Sequence, residues 1–166
     1  MTESSAHHSD PDVLHRLEGE WTFVREVPGK ATMTGRAHIV STGAGRARYH
    51  ETARVRLSDG STLTGSQSYV YRRLPPPAKG FDVLFAETGK LFERLNFRPM
   101  PDGSLRAEAD HDCSPDRYVS QFTLDAADRL AVEHTVTGPN KNYVVRTSYR
   151  RVERSANRRE SGASTE

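Results

Sequence analysis

Apolar and polar residues alternate one by one along most of the chain, which is the period of a β-strand with one buried face. From Trp21 onward this pattern recurs in short runs that are closed by turn-forming segments. The segments 58–61 and 101–104 both contain Asp-Gly, where glycine takes the positive φ of a hairpin turn. The predicted strands are 21–27, 33–40, 48–57, 61–74, 81–87, 90–97, 105–112, 118–124, 130–136 and 143–152. Because the links are short and a closed sheet has no free edges, we predict an all-β fold, an antiparallel up-and-down barrel of about 8–10 strands.

One short helix is predicted ahead of the first strand. Asp10 followed by Pro11 is typical of an N-cap and a first helical position, and Gly19 ends the segment near Glu18. The apolar face of this helix consists of Val13, Leu14 and Leu17.

The two ends of the chain contain almost nothing to bury. Residues 1–9 and 154–166 consist mainly of polar and charged residues, a composition typical of disorder. We therefore predict two disordered tails around a single barrel domain over residues 10–153.

The composition of the chain limits the kinds of interior, partner and location that we expect. Only 34% of the residues are hydrophobic, which favours a barrel with some polar inward positions, that is, a cavity rather than a solid core. The net charge is +2, so we expect no nucleic acid and no membrane partner. One cysteine excludes an internal disulfide, and no apolar N-terminal stretch resembles a signal peptide, so a cytoplasmic location is expected. The pattern predicts no oligomeric state.

The densest group of reactive side chains lies in residues 111–118, and a second polar segment follows at 138–143. Strand alternation places His111 and Cys113 on one face, and a corner at Ser114-Pro115 brings the next strand alongside. We identify four candidate catalytic residues: His111 as general acid or base, Asp116 as its orienting carboxylate, Tyr118 as proton donor and Lys141 as anion stabiliser. Two alternatives stay open: Asp116 caps the corner, and the group is a hydrogen-bonded belt between strands.

Candidate ligand-binding residues lie on several strands. Tyrosines with a cationic neighbour recur on single strand faces, and aromatic walls with a few polar anchors are typical of small-molecule pockets. The row that contains Tyr49 and Glu51 is the more apolar face of its strand and should point inward, so Glu51 needs a partner, either Lys141 or an arginine. Cys113 is expected to be a small buried filler rather than a nucleophile. The candidate ligand-binding residues are Glu51, Tyr69, Tyr71, Cys113 and Tyr143.

No metal and no cofactor are predicted. His111, Cys113, Asp116 and His134 are ligand types, but no Cys-x-x-Cys or His-x-x-x-His spacing organises them. Haem would need an axial histidine that faces the cavity, and the pattern singles out none of the histidines.

Two resemblances to known families support the barrel. The segment 17–21, Leu-Glu-Gly-Glu-Trp, resembles the opening of lipocalins and other calycins, in which an arginine of the last strand lies across the tryptophan. Arg150 or Arg151 occupies the place of that arginine, which implies a calycin-like barrel. From about Leu14 to Val152 the chain also resembles the DUF6314 family, which implies a fold and a site location but no activity. The matching elements are Tyr49-His50-Glu51, Tyr69-Val70-Tyr71-Arg72, His111-x-Cys113-x-x-Asp116-x-Tyr118, Val136-x-Gly138-Pro139-x-Lys141-x-Tyr143 and Ser148-x-Arg150-Arg151.

Three functions fit these observations. We favour a barrel that binds a small, partly apolar organic molecule in its interior. The first alternative is an enzyme of isomerase, cyclase or lyase type that needs only acid/base residues in the same cavity. The second is an interaction module with a filled interior.

Overall fold

The computed structural model describes residues 12–153, and the predicted tails 1–9 and 154–166 lie outside the described residues. Eleven strands form one antiparallel sheet in the order β6-β5-β4-β3-β2-β1-β11-β10-β9-β8-β7. Each strand pairs with the next along the chain, except β6 and β7 at the two ends of this order, and β1 pairs with β11, so the predicted up-and-down barrel with a short N-terminal helix is confirmed. The elements are α1 (Val13–Leu17), β1 (Gly19–Val27), β2 (Ala31–Gly43), β3 (Arg46–Leu57), β4 (Thr62–Arg73), β5 (Gly80–Phe85), β6 (Leu91–Asn96), β7 (Arg98–Pro99), β8 (Leu105–Cys113), β9 (Asp116–Leu124), β10 (Leu130–Thr137) and β11 (Asn142–Arg151).

The strand count is one more than the ten predicted runs. The additional strand, β7, has only two residues and pairs with the start of β8. The predicted hairpin turns are present, with Gly60 at φ 85° and Gly103 at φ 84°. We call the barrel end next to α1 the base and the opposite end, with the β1–β2 and β10–β11 hairpins, the mouth.

The helix begins later than the sequence predicted. Asp12, not Asp10, is its N-cap, and the Asp12 carboxylate accepts a hydrogen bond of 3.1 Å from the backbone N–H of Leu14. Asp10 and Pro11 lie outside the described residues. The apolar face is as predicted, and its three residues, Val13, Leu14 and Leu17, are all buried.

The base is closed by a tryptophan and an arginine. The indole N–H of Trp21 donates to the carbonyl oxygen of Leu17 at 2.9 Å. The Arg151 guanidinium lies 4.3 Å from the Trp21 ring centroid and donates to the carbonyl oxygen of Glu18 at 2.6 Å. Of the two arginines that the sequence offered, Arg151 therefore makes the predicted contact, and Arg150 is exposed. The largest fully buried apolar side chains surround this end: Leu14, Leu17, Trp21, Phe81, Leu95 and Leu124.

The barrel closes through side chains at one seam. Strands β6 and β8 lie side by side, but among the described residues no ladder of backbone hydrogen bonds joins them. The seam is bridged by a hydrogen bond from the Ser120 hydroxyl to Glu93 and by the rings of Phe92 and His111, whose centroids are 5.9 Å apart.

In the described part of the chain, no helix has the length and apolar character needed to cross a membrane.

Candidate ligand cavity

A cavity of about 550 Å³ occupies the barrel interior between the core of the base and the mouth. Its walls are mostly aromatic and aliphatic, with a smaller set of polar groups. The aromatic lining consists of Tyr49, Tyr69, Tyr71, Phe92, Tyr118, Phe122, Tyr143 and Tyr149. The polar lining consists of Arg25, Lys30, Glu51, Gln67, Glu93 and His134.

Stacked aromatic rings form one wall of the cavity. Tyr69 and Phe92 are nearly parallel, with ring centroids 6.0 Å apart and an interplanar angle of 10°. Tyr71 stacks on Tyr49 at 5.5 Å and on Phe81 of the core at 4.5 Å. Because these rings are held on both sides, the wall offers a rigid apolar surface to a flat ligand.

Glu51 lies at the centre of the first polar network in the cavity. As predicted it is buried, with 7% of its surface exposed, and its partner is an arginine rather than Lys141. Arg25 donates to both Glu51 oxygens, at 2.7 and 2.8 Å, and to the Thr147 hydroxyl at 2.9 Å. Tyr49 also donates to Glu51, and its hydroxyl lies 3.0 Å from that of Tyr149. Both buried charges are thus paired within the protein.

The environment of this network fixes its charge state. Burial raises the pKa of Tyr49 and of Tyr149 above the ordinary tyrosine value, so both hydroxyls keep their protons. Burial alone would lower the pKa of Arg25, but its hydrogen bond to Glu51 and nearby charges outweigh that effect and the pKa is raised.

The second polar network joins β6 to the consecutive strands β9 and β10. The Ser120 hydroxyl donates to the Glu93 carboxylate and lies 2.6 Å from Nδ1 of His134. Nδ1 of His134 is also 3.5 Å from Glu93. Glu93 and Ser120 are almost completely buried, whereas 27% of the His134 side chain is exposed and the residue lines the cavity.

A β-bulge aims Glu93 inward. Val83 pairs with Glu93 and the next residue, Leu84, pairs with Leu91, so Phe92 is an extra residue in β6. A bulge lets two successive residues point to the same side of a sheet. Phe92 and Glu93 accordingly both line the cavity.

Two further tyrosines line the cavity with their hydroxyls unpaired. Tyr69 and Tyr71 make no side-chain hydrogen bond with the residues of the described range. Burial, with smaller contributions from Glu51 and Glu93, raises the pKa of Tyr69 to about 12. Burial also raises the pKa of Tyr71 well above the ordinary value. Both hydroxyls are therefore hydrogen-bond donors at neutral pH.

Lysines and tyrosines line the mouth. The Lys30 ammonium lies 4.4 Å from the centroid of the Tyr143 ring, and Lys141 is 3.0 Å from the Asp116 carboxylate. The hydrogen bond to Asp116 and the nearby Tyr118 raise the pKa of Lys141. Asp116 packs against Gly138, where a β-carbon would lie only 2.1 Å from a carboxylate oxygen, so a side chain there would displace the Asp116 carboxylate.

The structure separates the predicted catalytic residues into two groups. Tyr118 lines the cavity and interacts with Lys141, which pairs with Asp116 as described. His111 lies directly opposite Tyr118 in the β8–β9 ladder, but it is outside the cavity lining and its ring contacts Phe92. No hydrogen bond joins His111 to Asp116 within residues 12–153. Asp116 is thus placed to orient Lys141 rather than His111.

Cys113 differs from its predicted environment. It is exposed at the mouth, next to the β8–β9 turn, and not a buried filler. It also lies outside the cavity lining. The position at the strand end explains the error, since alternation predicts which face a side chain shares but not how far the barrel wall extends.

The chain matches a family of unknown function, DUF6314, over residues 17–151. It belongs to this family. The DUF6314 elements quoted above cover Glu51, Tyr69, Tyr71, Tyr118 and Tyr143, all of which line the cavity.

Solved structures resemble the DUF6314 barrel only distantly. One is a redesigned beta barrel, mFAP1, bound to DFHBI, with 14% identity and a TM-score of 0.42 over 84% of this chain and 99% of that one. Another is EF1p2_mFAP2b bound to DFHBI, with 12% identity and a TM-score of 0.43 over 85% and 98%. A third is a fluorescence-activating beta barrel designed de novo, with 13% identity and a TM-score of 0.40 over 85% and 98%. No curated protein sequence matches the chain.

Sequence reasoning missed Arg25, Glu93, Ser120 and His134 as members of one site. Arg25 carries no motif, and the other three come from β6, β9 and β10. A search for local spacing does not detect such a group, since only the register of the closed barrel brings it together. Within the described residues, no group of three or more His, Cys, Asp or Glu side chains has the arrangement of a metal site.

Proposed function

We propose that this DUF6314 protein binds a small, partly apolar organic molecule inside the barrel. The cavity carries the proposal: its volume of about 550 Å³ lies within the range of roughly 300–1,000 Å³ of small-molecule sites. Its lining combines rigid aromatic walls with a few polar groups, which is the composition expected of such sites.

The lining also suggests the shape and polarity of the ligand. The aromatic wall that contains Tyr69 and Phe92 suits a planar molecule, which can stack on such rings. The hydroxyls of Tyr69 and Tyr71 and the His134 ring are available to polar atoms, whereas Arg25 and Glu51 already satisfy each other. A planar compound with one or two oxygen substituents fits this pattern better than a hydrocarbon or a highly charged metabolite.

The test compares a variant that fills the cavity with a control variant whose new side chain points outward from the same strand. Val145 lines the cavity, and its neighbour Val144 points to the opposite face of β11. Fluorescence titration with naphthols, flavones and aromatic carboxylic acids, together with native mass spectrometry of the purified protein, measures binding. We expect Val145→Trp to weaken binding at least tenfold, about 1.4 kcal/mol, and Val144→Trp to leave it unchanged.

Equal affinity of the two variants would place the ligand outside the cavity. The proposal also fails if the wild-type protein binds none of the panel and carries no co-purified compound. Thermal unfolding of both variants shows whether the added indole ring disturbs the fold.

A second candidate function is catalysis by acid/base residues without a cofactor. One observation favours it: His134 faces the cavity, and its Nδ1 is held by Ser120 and Glu93. The catalytic roles predicted for His111, Asp116, Tyr118 and Lys141 stay predictions, and the position of Tyr118 in the cavity wall supports one of them. A His111→Ala variant that binds ligand but loses turnover would favour His111 as the acid or base.

The contact of Arg151 with Trp21 also supports a relationship to calycin barrels. The cytoplasmic location stays a prediction from the sequence.

A further inference from the structure

The Glu93–Ser120–His134 network fixes which nitrogen of the histidine carries a proton. A carboxylate only accepts hydrogen bonds, so the Ser120 hydroxyl donates to Glu93. The Ser120 oxygen then accepts from Nδ1–H of His134, 2.6 Å away. Nε2, which has no partner among the described residues, carries the lone pair and is a proton acceptor.

The order of the three groups excludes a serine nucleophile. In an acyl-transfer triad the histidine lies between the acid and the hydroxyl, and the hydroxyl faces the substrate. Here the hydroxyl lies between the acid and the histidine, and Ser120 has no exposed surface. The group that meets the cavity is His134.

We propose that His134 is a general base that removes a proton from carbon in a carbonyl substrate, so that the cavity catalyses a proton shift. This inference rests on the proposed binding function and names its substrate class. In a β,γ-unsaturated ketone, Nε2 takes a proton from the α-carbon, the C–H electron pair forms a C=C bond, and the carbonyl π pair moves to the oxygen, which gives a dienolate. His134 then delivers the proton to the γ-carbon: the oxygen electron pair re-forms the C=O bond, and the remaining C=C bond lies between the α- and β-carbons. The step consumes no oxidant, reductant or water.

The surroundings of His134 supply one negative charge and two neutral hydrogen-bond donors for this step. Glu93, with 3% of its surface exposed, pairs with no lysine or arginine in the described range, so its negative charge is directed at the imidazolium ion that forms. The protonated hydroxyls of Tyr69 and Tyr71 line the same cavity and are donors for the enolate oxygen. Ser120 and Glu93 are positioning residues that act through His134.

The test uses a probe that reports a base in an apolar cavity. In 5-nitrobenzisoxazole a base removes the ring C–H proton, the N–O bond breaks, and a coloured cyanophenolate forms. We expect the wild-type protein to accelerate this reaction and His134→Gln to reduce the rate about 100-fold, the scale of general base catalysis. His50 provides the matched control, since its Nδ1 lies 2.7 Å from the Ser68 hydroxyl on the outer surface. His50→Gln should retain the wild-type rate.

Nitrogen-15 NMR of the histidine rings provides a readout that does not depend on turnover. The neutral ring of His134 should carry its proton on Nδ1, and Ser120→Ala should shift its tautomer toward protonated Nε2. Ser68→Ala should leave His134 unchanged.

Binding of the probe, followed by protein fluorescence, separates the two proposals. A bound probe that reacts equally fast with wild type and His134→Gln overturns the inference alone, as does an Nε2-protonated His134. If the probe does not bind, the tautomer of His134 decides the inference, and the binding proposal is decided separately by the titration with the ligand panel.

Discussion

At the scale of single residues, the pair of Arg25 and Glu51 offers the sharpest test of the interior. Both are largely buried, with 18% and 8% of their side chains exposed. Glu51→Ala leaves the Arg25 charge buried and without its main partner, so we expect the free energy of unfolding to fall by about 3–5 kcal/mol. Urea denaturation measures the loss.

The control for this prediction is an exposed pair with the same chemistry. Arg146 and Glu133 are 3.1 Å apart, but about half of each side chain is exposed, at 59% and 48%. Glu133→Ala should therefore cost no more than about 1 kcal/mol. Similar losses for Glu51→Ala and Glu133→Ala would contradict the burial of the first pair.

The raised pKa of Tyr69 predicts that the protein loses stability in alkaline solution. Its pKa in the folded protein is about 12, whereas a tyrosine in the unfolded chain releases its proton near pH 10. Between these values the folded state binds more protons, so the free energy of unfolding falls as the pH rises. Tyr69→Phe should reduce this slope by up to about 1.4 kcal/mol per pH unit, measured by urea denaturation at several pH values. Parallel curves for the two proteins would contradict the raised pKa.

At the scale of strands, glycines of β2 and β4 should respond in opposite directions. Gly35 and Gly65 flank Ala53 in the sheet. A β-carbon on Gly35 would lie 2.3 Å from the carbonyl oxygen of Thr52 and 2.6 Å from the Phe23 ring, whereas one on Gly65 would meet nothing within 4 Å. We expect Gly35→Ala to cost about 2 kcal/mol or more and Gly65→Ala to stabilise by about 0.5 kcal/mol. Equal thermal shifts would show that this part of the sheet adapts freely.

Strands with regular alternation were predictable, and irregular ones were not. On β3 the apolar row that contains Tyr49 and Glu51 was assigned to the interior, where both lie. On β6 the bulge at Phe92 interrupts the alternation of inward and outward side chains, and no pattern of residues in the sequence predicts it. The N-cap of α1 was similarly ambiguous, since Asp12 follows Asp10 by two residues and an aspartate at either position can cap a helix.

At the scale of the whole molecule, closure of the base depends on Arg151. It stacks on Trp21 and donates to carbonyl oxygens of α1 and its C-cap, so it connects the last strand to the first elements. Arg151→Ala should lower the free energy of unfolding by about 3 kcal/mol, since it removes a cation–π contact with the buried Trp21 and partly buried charged hydrogen bonds. Arg150→Ala, at the next and exposed position, should cost less than about 0.5 kcal/mol by chemical denaturation. If Arg150→Ala cost more than Arg151→Ala, closure of the base would depend on Arg150 instead.

The location of the site was easier to predict than its chemistry, for a reason that concerns the whole fold. Tyr118 and Tyr143 belong to dense polar motifs and were proposed as site residues for that reason, although alternation did not settle which face of their strands points inward. Glu93 and His134 meet only after the sheet has closed at the seam. A barrel places residues from distant strands together, and the pairing that does so is set by register and closure rather than by any one segment.

The seam between β6 and β8 should be the least stable part of the barrel wall. Edge strands without a backbone ladder open at lower free energy than strands paired on both sides, such as β2 and β3. We expect amides of β6 and β8 to exchange with deuterium faster than those of β2 and β3, and Ser120→Ala to widen the difference because it removes the link to Glu93. Ser68→Ala, on the outer surface, should leave the exchange rates of both pairs of strands unchanged. Uniform protection around the barrel would mean that side chains close the seam as firmly as a ladder does.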